Sequence, residues 1–354
     1  MNARTPGLAL AAGLLCACVS APRQAGATGF SPAPARGGEP LHFRAAAAYS
    51  REHAGDAVLV VRGDRTVFEE YQNGYTADVP HHMVSGTKSF ACTVAAAAVE
   101  DSLLKLDEPL AGTLPELAEH RLGRGITARH LLSLTSGLPP VNRGPTGVEP
   151  ANHYANSLYL RSDAAPGTTF AYGPTSFDMF MEAMRRKLLP RREDPVSYLQ
   201  RRVLDPIGVR GVTFARDGAG NAMFDAGARI TAREWSRFGR MVRDSGRFEG
   251  RQVLDSAALG ECFKGSAVAP WYGLAFWLNA PVRGGRALYD GGLPDMAEAI
   301  GAMHQHLFII PSLDLVVVRF GRPDDTFRSR VFLARLLGDP DPADPRPTPG
   351  EGGP

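Results

Sequence analysis

His81-His82-Met83-Val84-Ser85-Gly86-Thr87-Lys88-Ser89-Phe90, followed by an apolar run to Leu104, decides how the rest of the chain is read. From Ser89 to Leu104 the sequence is SFACTVAAAAVEDSLL. It is Ala-rich, free of Gly and Pro, and apolar on most faces, which predicts a buried helix. Ser85 then falls at or just before the helix N-terminus, with Lys88 one turn later. Residues at i and i+3 share a helix face, so hydroxyl and amine can meet. A serine hydroxyl is a weak nucleophile until a base takes its proton. An amine serves as that base only when neutral, a form that burial and a helix N-terminus both favour. The same helix end presents free N–H groups to an oxyanion. S-x-x-K also recurs by chance, and the plain alternative makes Ser85 an N-cap and Lys88 a solvated first-turn residue. Lysine is scarce here: Lys88, Lys105, Lys187 and Lys264 are set among 39 basic residues. Arginine cannot stand in as a base, because it does not lose its proton.

Outward from this stretch, 354 residues can bury a sizeable core. A formal net charge of +2 gives no overall field toward nucleic acid or an anionic membrane. Arg4 followed by apolar Leu8–Ala17 predicts a targeting segment over residues 1–18, too short to span a bilayer. Leu15-Cys16-Ala17-Cys18 resembles a bacterial lipobox, with Cys18 as the lipidated residue and a membrane tether as the result. An ordinary signal peptide cut near Ala21 is the alternative. Both place the mature protein outside the cytoplasm, in the periplasm or cell envelope. Residues 19–45 read as a flexible tether, and residues 339–354, rich in Pro, Asp and Gly, as a disordered tail. Cys92 and Cys262 remain. An exported protein can pair them, but Cys92 lies in the predicted buried helix, where free cysteine behaves as a small apolar residue. Two free thiols are expected. Neither His81-His82 nor His304 and His306 has a metal-ligand pattern, so no metal or cofactor is expected.

AVLVVR (57–62) and TVFEEY (66–71) around Gly63-Asp64 predict a hairpin. A second hairpin is predicted around Pro311-Ser312, and a helix from Arg328 to Leu337. One antiparallel sheet built from both chain ends, flanked by helices and holding an inserted helical lobe, follows. In the middle, the helix opening at Ile126 is expected to stop with Gly137 as its C-cap and Pro139 beyond. PGTTFAYGP (166–174) is a turn-rich loop leading into a helix at Thr175–Lys187. Tyr172 there can present its hydroxyl to a cleft, or sit as a boundary tyrosine with a buried ring.

The order of segments resembles the serine β-lactamase and penicillin-binding-protein superfamily, specifically the class C β-lactamase-related serine hydrolases. SGTKSF at Ser85–Phe90, LLKLDEPL at Leu103–Leu110, ITARHLLSLTSGL at Ile126–Leu138 and PGTTFAYG at Pro166–Gly173 carry it. So do LDPIGV at Leu204–Val209, ITAREWSRFGRMV at Ile230–Val242, YGLAFWLN at Tyr272–Asn279 and FIIPSLDLVVVRFG at Phe308–Gly321. It is nearest the branch of esterases and amidases that includes 6-aminohexanoate-dimer hydrolase. The resemblance implies an α/β (α+β) β-lactamase/DD-peptidase-like fold over residues 46–338, with the sheet from about 46–80 and 270–338 and the helical lobe from about 85–265. It implies Ser85 as the acylated nucleophile, Lys88 as base partner and Tyr172 as proton shuttle. The oxyanion hole would use the backbone N–H groups of Ser85 and of a residue near Ala299.

Two departures bear on the substrate. Tyr172-Gly173-Pro174 replaces the Tyr-x-Asn of cephalosporinases, and proline has no amide to donate. The Lys-Thr-Gly motif would fall near Met296-Ala297-Glu298, which does not match; Lys264-Gly265-Ser266 lies where no cleft strand is expected. Without that cation, a small neutral ester or amide is the expected substrate. A β-lactamase or D-alanyl-D-alanine carboxypeptidase, and a catalytically retired binding protein of the same fold, are the alternatives.

Overall fold

The structure, a computed structural model, describes residue 1 and residues 41–144, 147–281, 287–291 and 293–342. The targeting segment with Cys18, the stretch to residue 40 and the tail from residue 343 lie outside the described residues. Helix α1 (Phe43–Glu52) begins inside the stretch read as tether. Its FRAAAAYSRE sequence buries Ala46, Ala47, Tyr49 and Ser50, and burial of that stripe extends the folded part back over residues 43–45.

Strands β1 (Gly55–Arg62) and β2 (Arg65–Tyr71) form the first hairpin. After them comes α2 (Ser89–Glu100), then α3 (Thr175–Leu188) and α4 (Ala232–Arg243) in the middle of the chain. Strands β3 (Trp277–Leu278), β4 (Ala297–Gly301), β5 (Gln305–Ile310) and β6 (Leu315–Gly321) and helix α5 (Ser329–Leu337) close it. The six strands make one antiparallel sheet in the order β2-β1-β6-β5-β4-β3. The ends of the chain join where Val58 of β1 faces Arg319 of β6 and Val61 faces Val316.

Strands β5 and β6 are buried along their whole length, so the sheet is covered on both faces. On one face, Phe308 of β5 stacks on Phe332 of α5 at 6.0 Å. On the other, α4 lies so close that a Cβ on Gly239 would come within 2.6 Å of Val316 Cγ1. That approach requires glycine. Helix α2 runs through the interior, with every residue from Ser89 to Ala98 buried.

Three expectations are corrected. Helix α2 stops at Glu100, because Asp101 caps it and Ser102 turns left-handed at φ +57°. The helix opening near Ile126 covers Ala128–Leu132 only, and Leu134 breaks it at φ +58°. Gly137 is therefore not its cap. It is glycine because a Cβ there would sit 2.1 Å from the carbonyl of Ala164. Finally, Cys92 and Cys262 are joined in a disulfide with Cα atoms 6.0 Å apart. Helix Ser256–Gly260 and the turn Glu261–Phe263 pack onto α2. Two buried cysteines 170 residues apart thus meet, which local sequence does not reveal.

Candidate active site

Ser85 sits in a single 3-10 turn, Val84–Lys88, that runs directly into α2. Its neighbours clamp it. The Met83 N–H donates to the Ala228 carbonyl at 2.9 Å, and the Ala228 N–H donates to Thr87 Oγ1 at 3.0 Å. Gly86 lies against the Trp235 ring of α4, which a Cβ there would meet at 3.0 Å. Val84, just before the serine, has φ +48°. A β-branched residue is a rare occupant of that region, and such strain persists only where surrounding structure fixes it.

Lys88 is 3% exposed. Its Nζ donates to Ser85 Oγ at 3.1 Å and to the main-chain carbonyl of Asp225 at 2.7 Å. The solvated-lysine alternative is therefore excluded. The capping alternative also falls, because the residue at the N-cap of α2 is Lys88 and no side chain caps that end.

Tyr172 is brought to the same place by the loop before α3. Gly173 next to it packs so tightly that a Cβ would lie 2.0 Å from the Pro140 carbonyl, which pins the loop. Lys88 Nζ is 5.1 Å from the centroid of the Tyr172 ring and 5.5 Å from that of Phe177, within cation–π range. The half-buried Tyr172 ring stacks on Trp277 at 5.4 Å. Tyr272 stands edge-on to Tyr172 at 6.1 Å and to Trp277 at 5.1 Å. Burial holds the Tyr272 hydroxyl well above the usual tyrosine range, so it stays a neutral phenol.

Strand β4 forms the opposite side. Its pairing with β3 ends at Trp277–Glu298 and Leu278–Ala297. Beyond Glu298 that edge, residues 299–301, has no further strand partner among the described residues. Gly301 abuts the chain entering the turn that carries Ser85, since a Cβ there would sit 2.0 Å from the Met83 carbonyl. Ala299 is two residues back, opposite Leu307 of β5. Glu298 offers nothing to the site. Its carboxylate meets His306 Nδ1 at 2.6 Å, and both side chains are buried. His306 shares its face of β5 with Phe308, toward α5 and away from α4. Lys264 ion-pairs with Glu261, next to the disulfide.

The histidine pairs have structural partners. His81 Nε2 lies 3.1 Å from Asp56 Oδ2 and its ring stacks on Phe320, while His82 Nε2 lies 2.7 Å from the Ala226 carbonyl. No group of three or more His, Cys, Asp or Glu among the described residues is arranged to hold a metal ion.

Two features escaped the sequence. Asp225 contributes through its carbonyl, a group every residue carries, so no side-chain signal exists. The strain at Val84 likewise leaves no mark, because valine gives no hint of a left-handed backbone.

The chain matches the Beta-lactamase family over residues 42–337. It is 25% identical over 305 residues to the 6-aminohexanoate-dimer hydrolase of Paenarthrobacter ureafaciens, covering 77% of this chain and 74% of that one. Among solved structures, a Bacteroides dorei chain assigned to the β-lactamases superposes with a TM-score of 0.68 at 20% identity, over 85% of this chain and 100% of that one. A family VIII carboxylesterase superposes with a TM-score of 0.65 at 16% identity, over 84% and 95% respectively.

Proposed function

Since the chain belongs to the β-lactamase family and is a serine hydrolase of that fold, we propose that it cleaves small neutral esters or amides through an acyl-enzyme on Ser85. The observation that carries this reading is the buried Lys88 amine 3.1 Å from Ser85 Oγ, with Tyr172 beside it. Ser85 Oγ attacks the substrate carbonyl, and its proton passes to the Lys88–Tyr172 pair. The carbonyl oxygen becomes an oxyanion held by the Ser85 N–H and by a backbone N–H on the open edge of β4. Ala299 was the expected donor, and the contact between Gly301 and Met83 supports a donor at or just after Gly301. Such a donor contributes on the order of 10²–10³ in rate. Collapse of the oxyanion expels the alcohol or amine, which takes the proton from the pair. A water molecule then repeats the sequence on the acyl-enzyme and releases the acid.

The substrate class rests on β4. Met296-Ala297-Glu298 stands where a cation for a substrate carboxylate is expected, and Glu298 is tied to His306. A neutral acyl group suits that wall better than a β-lactam or a muramyl peptide with a free carboxylate. The half-buried Tyr172 ring, backed by Trp277, suits an apolar substituent.

Export belongs to the same proposal. The targeting segment argues for it, and the buried Cys92–Cys262 disulfide supports it, because such bonds persist in oxidising compartments. Lipidation at Cys18 would tether the protein to the membrane, and incorporation of labelled palmitate that Cys18→Ala abolishes would test this.

The direct test of the activity is hydrolysis of p-nitrophenyl butyrate by the protein without its targeting segment, beside Ser85→Ala. Turnover that disappears in the variant supports the reading. Equal turnover in both removes Ser85 as nucleophile.

A further inference from the structure

The mechanism above does not use the Cys92–Cys262 disulfide or the segment behind Tyr172 that it holds. Cys92 lies one turn after Lys88 on α2, and residues four apart share a helix face. Its partner Cys262 is likewise buried. The Cys262 main-chain carbonyl accepts from the Leu274 N–H at 2.9 Å. Gly273 is pressed against the same carbonyl, which a Cβ there would meet at 2.0 Å. Cys262 therefore grips the chain between Tyr272 and Trp277, the two rings that back Tyr172.

That segment is a tight loop with little freedom of its own. An antiparallel bridge between Tyr272 and Trp277 closes it, and the Gly273 N–H donates to the Phe276 carbonyl at 2.9 Å. The Ala275 N–H donates to the Leu132 carbonyl at 3.0 Å, and Ala275 is held at φ +68°. A residue with a Cβ keeps that backbone only where its surroundings fix it. The loop carrying Tyr172 hangs from the neighbouring stretch, where the Ala171 N–H donates to the Leu134 carbonyl at 3.0 Å. Phe170 in that loop packs on Tyr272 at 5.4 Å and on Trp271 at 6.0 Å. The two loops thus form one unit. The covalent tie from Cys262 to Cys92 sets that unit against the helix that carries Lys88. The quantity it governs is the 5.1 Å separation of Lys88 Nζ from the centre of the Tyr172 ring.

We propose that the Cys92–Cys262 disulfide is a positioning element for hydrolysis, holding the Tyr172 unit at its working distance from Ser85 and Lys88, so that the chain reaches full activity only once the bond has formed. This rests on the assignment of Ser85, Lys88 and Tyr172 given above. Forming the bond oxidises both thiols by exchange with an exogenous disulfide. That disulfide takes up the two electrons and the two protons and leaves as two thiols.

A small misplacement of a reacting group can cost on the order of 10² in rate. In Cys92→Ala/Cys262→Ala, assayed well below its melting temperature, kcat for p-nitrophenyl butyrate should fall by roughly ten- to a hundredfold. The same pair of substitutions placed on Tyr172→Phe should change kcat by less than about threefold, because the positioned hydroxyl is already gone. A second readout needs no turnover. In protein grown with ring-labelled tyrosine, the Tyr172 NMR signal is one of nine and is assigned by its loss in Tyr172→Phe. It should shift when the bond is removed. Unchanged kcat in the folded cysteine variant overturns the proposal, and a Tyr172 signal that stays in place does so independently. An equal loss of kcat with and without the Tyr172 hydroxyl overturns it as well. Should the cysteine variant not fold, Gly273→Ala carries the test. It keeps the disulfide but forces the loop off the Cys262 carbonyl, so it should reproduce the loss, and wild-type kcat there overturns the proposal. The hydrolytic assignment fails separately, on ester hydrolysis that is equal in wild type and Ser85→Ala whatever the cysteine variants do.

Discussion

At the scale of single residues, close approaches set how much change the site tolerates. Gly301 touches the chain entering the nucleophile turn through backbone, not through a flexible side chain. Gly301→Ala should therefore displace β4 from Ser85. Esterase activity should fall at least tenfold, with destabilisation of about 1–3 kcal/mol from overpacking; unchanged kcat and Tm would show that the strand end can move freely. Tyr172→Phe removes the phenolic oxygen but keeps the ring on Trp277. A drop in kcat of roughly 10²–10⁴ is expected for loss of a proton-transferring group, with little change in Tm, and kinetics on the purified variant decide it.

Asp178 gives a prediction in pH. Its folded-state value is raised, chiefly by burial. Below about pH 4 the carboxyl is neutral in folded and unfolded chains alike. As pH rises from there the unfolded carboxyl ionises freely and the folded one resists, so this group's contribution to stability is lost as pH passes through the raised value. Asp178→Asn cannot ionise and should keep that stability. Thermal melts should show the variant more stable than wild type at pH 7–8, with the gap closing toward pH 4. A gap independent of pH would contradict the electrostatic cause.

At the scale of elements, the parts legible in the sequence were those with a repeating signal. The alternation and turn residues around Gly63 and Pro311 marked both hairpins. The Ala-rich run marked α2, and Ser85 with Lys88 could be placed at its mouth because their spacing is a helical one. What the sequence hid depended on partners distant in the chain. The first turn of α1, residues 43–45, reads as tether until α5 and the sheet cover the helix. The disulfide between α2 and the Glu261–Phe263 turn was the opposite of the expected pair of free thiols. Which residue of β4 abuts the turn carrying Ser85, with Gly301 against Met83, was not legible either, because register beside a loop is set by contact and not by pattern. The disulfide ties the nucleophile helix to the segment leading to Trp271 and Tyr272. Cys92→Ala/Cys262→Ala should cost about 2–5 kcal/mol of stability, read as a lower midpoint in urea. An unchanged midpoint would show that packing alone holds α2 in place.

At the scale of the whole molecule, the sheet assembled from both chain ends and the inserted helical lobe meet at the site. The lobe contributes Ser85, Lys88 and Tyr172, and the sheet contributes β4 with its open edge at residues 299–301. This division explains why the family's order of segments could be followed along nearly the whole chain while the substrate could not. The proposed reacting groups lie on elements with strong local signatures. The proposed specificity rests instead on what β4 lacks and on the half-buried Tyr172 ring backed by Tyr272 and Trp277. The central claim is a covalent acyl-enzyme on Ser85. Its most direct test is intact-mass analysis of the protein quenched in acid during turnover of p-nitrophenyl butyrate, followed by peptide mapping. A butyryl adduct on the peptide carrying Ser85, absent in Ser85→Ala, is the predicted result. Turnover with no adduct, or an adduct on another residue that persists in Ser85→Ala, would contradict it.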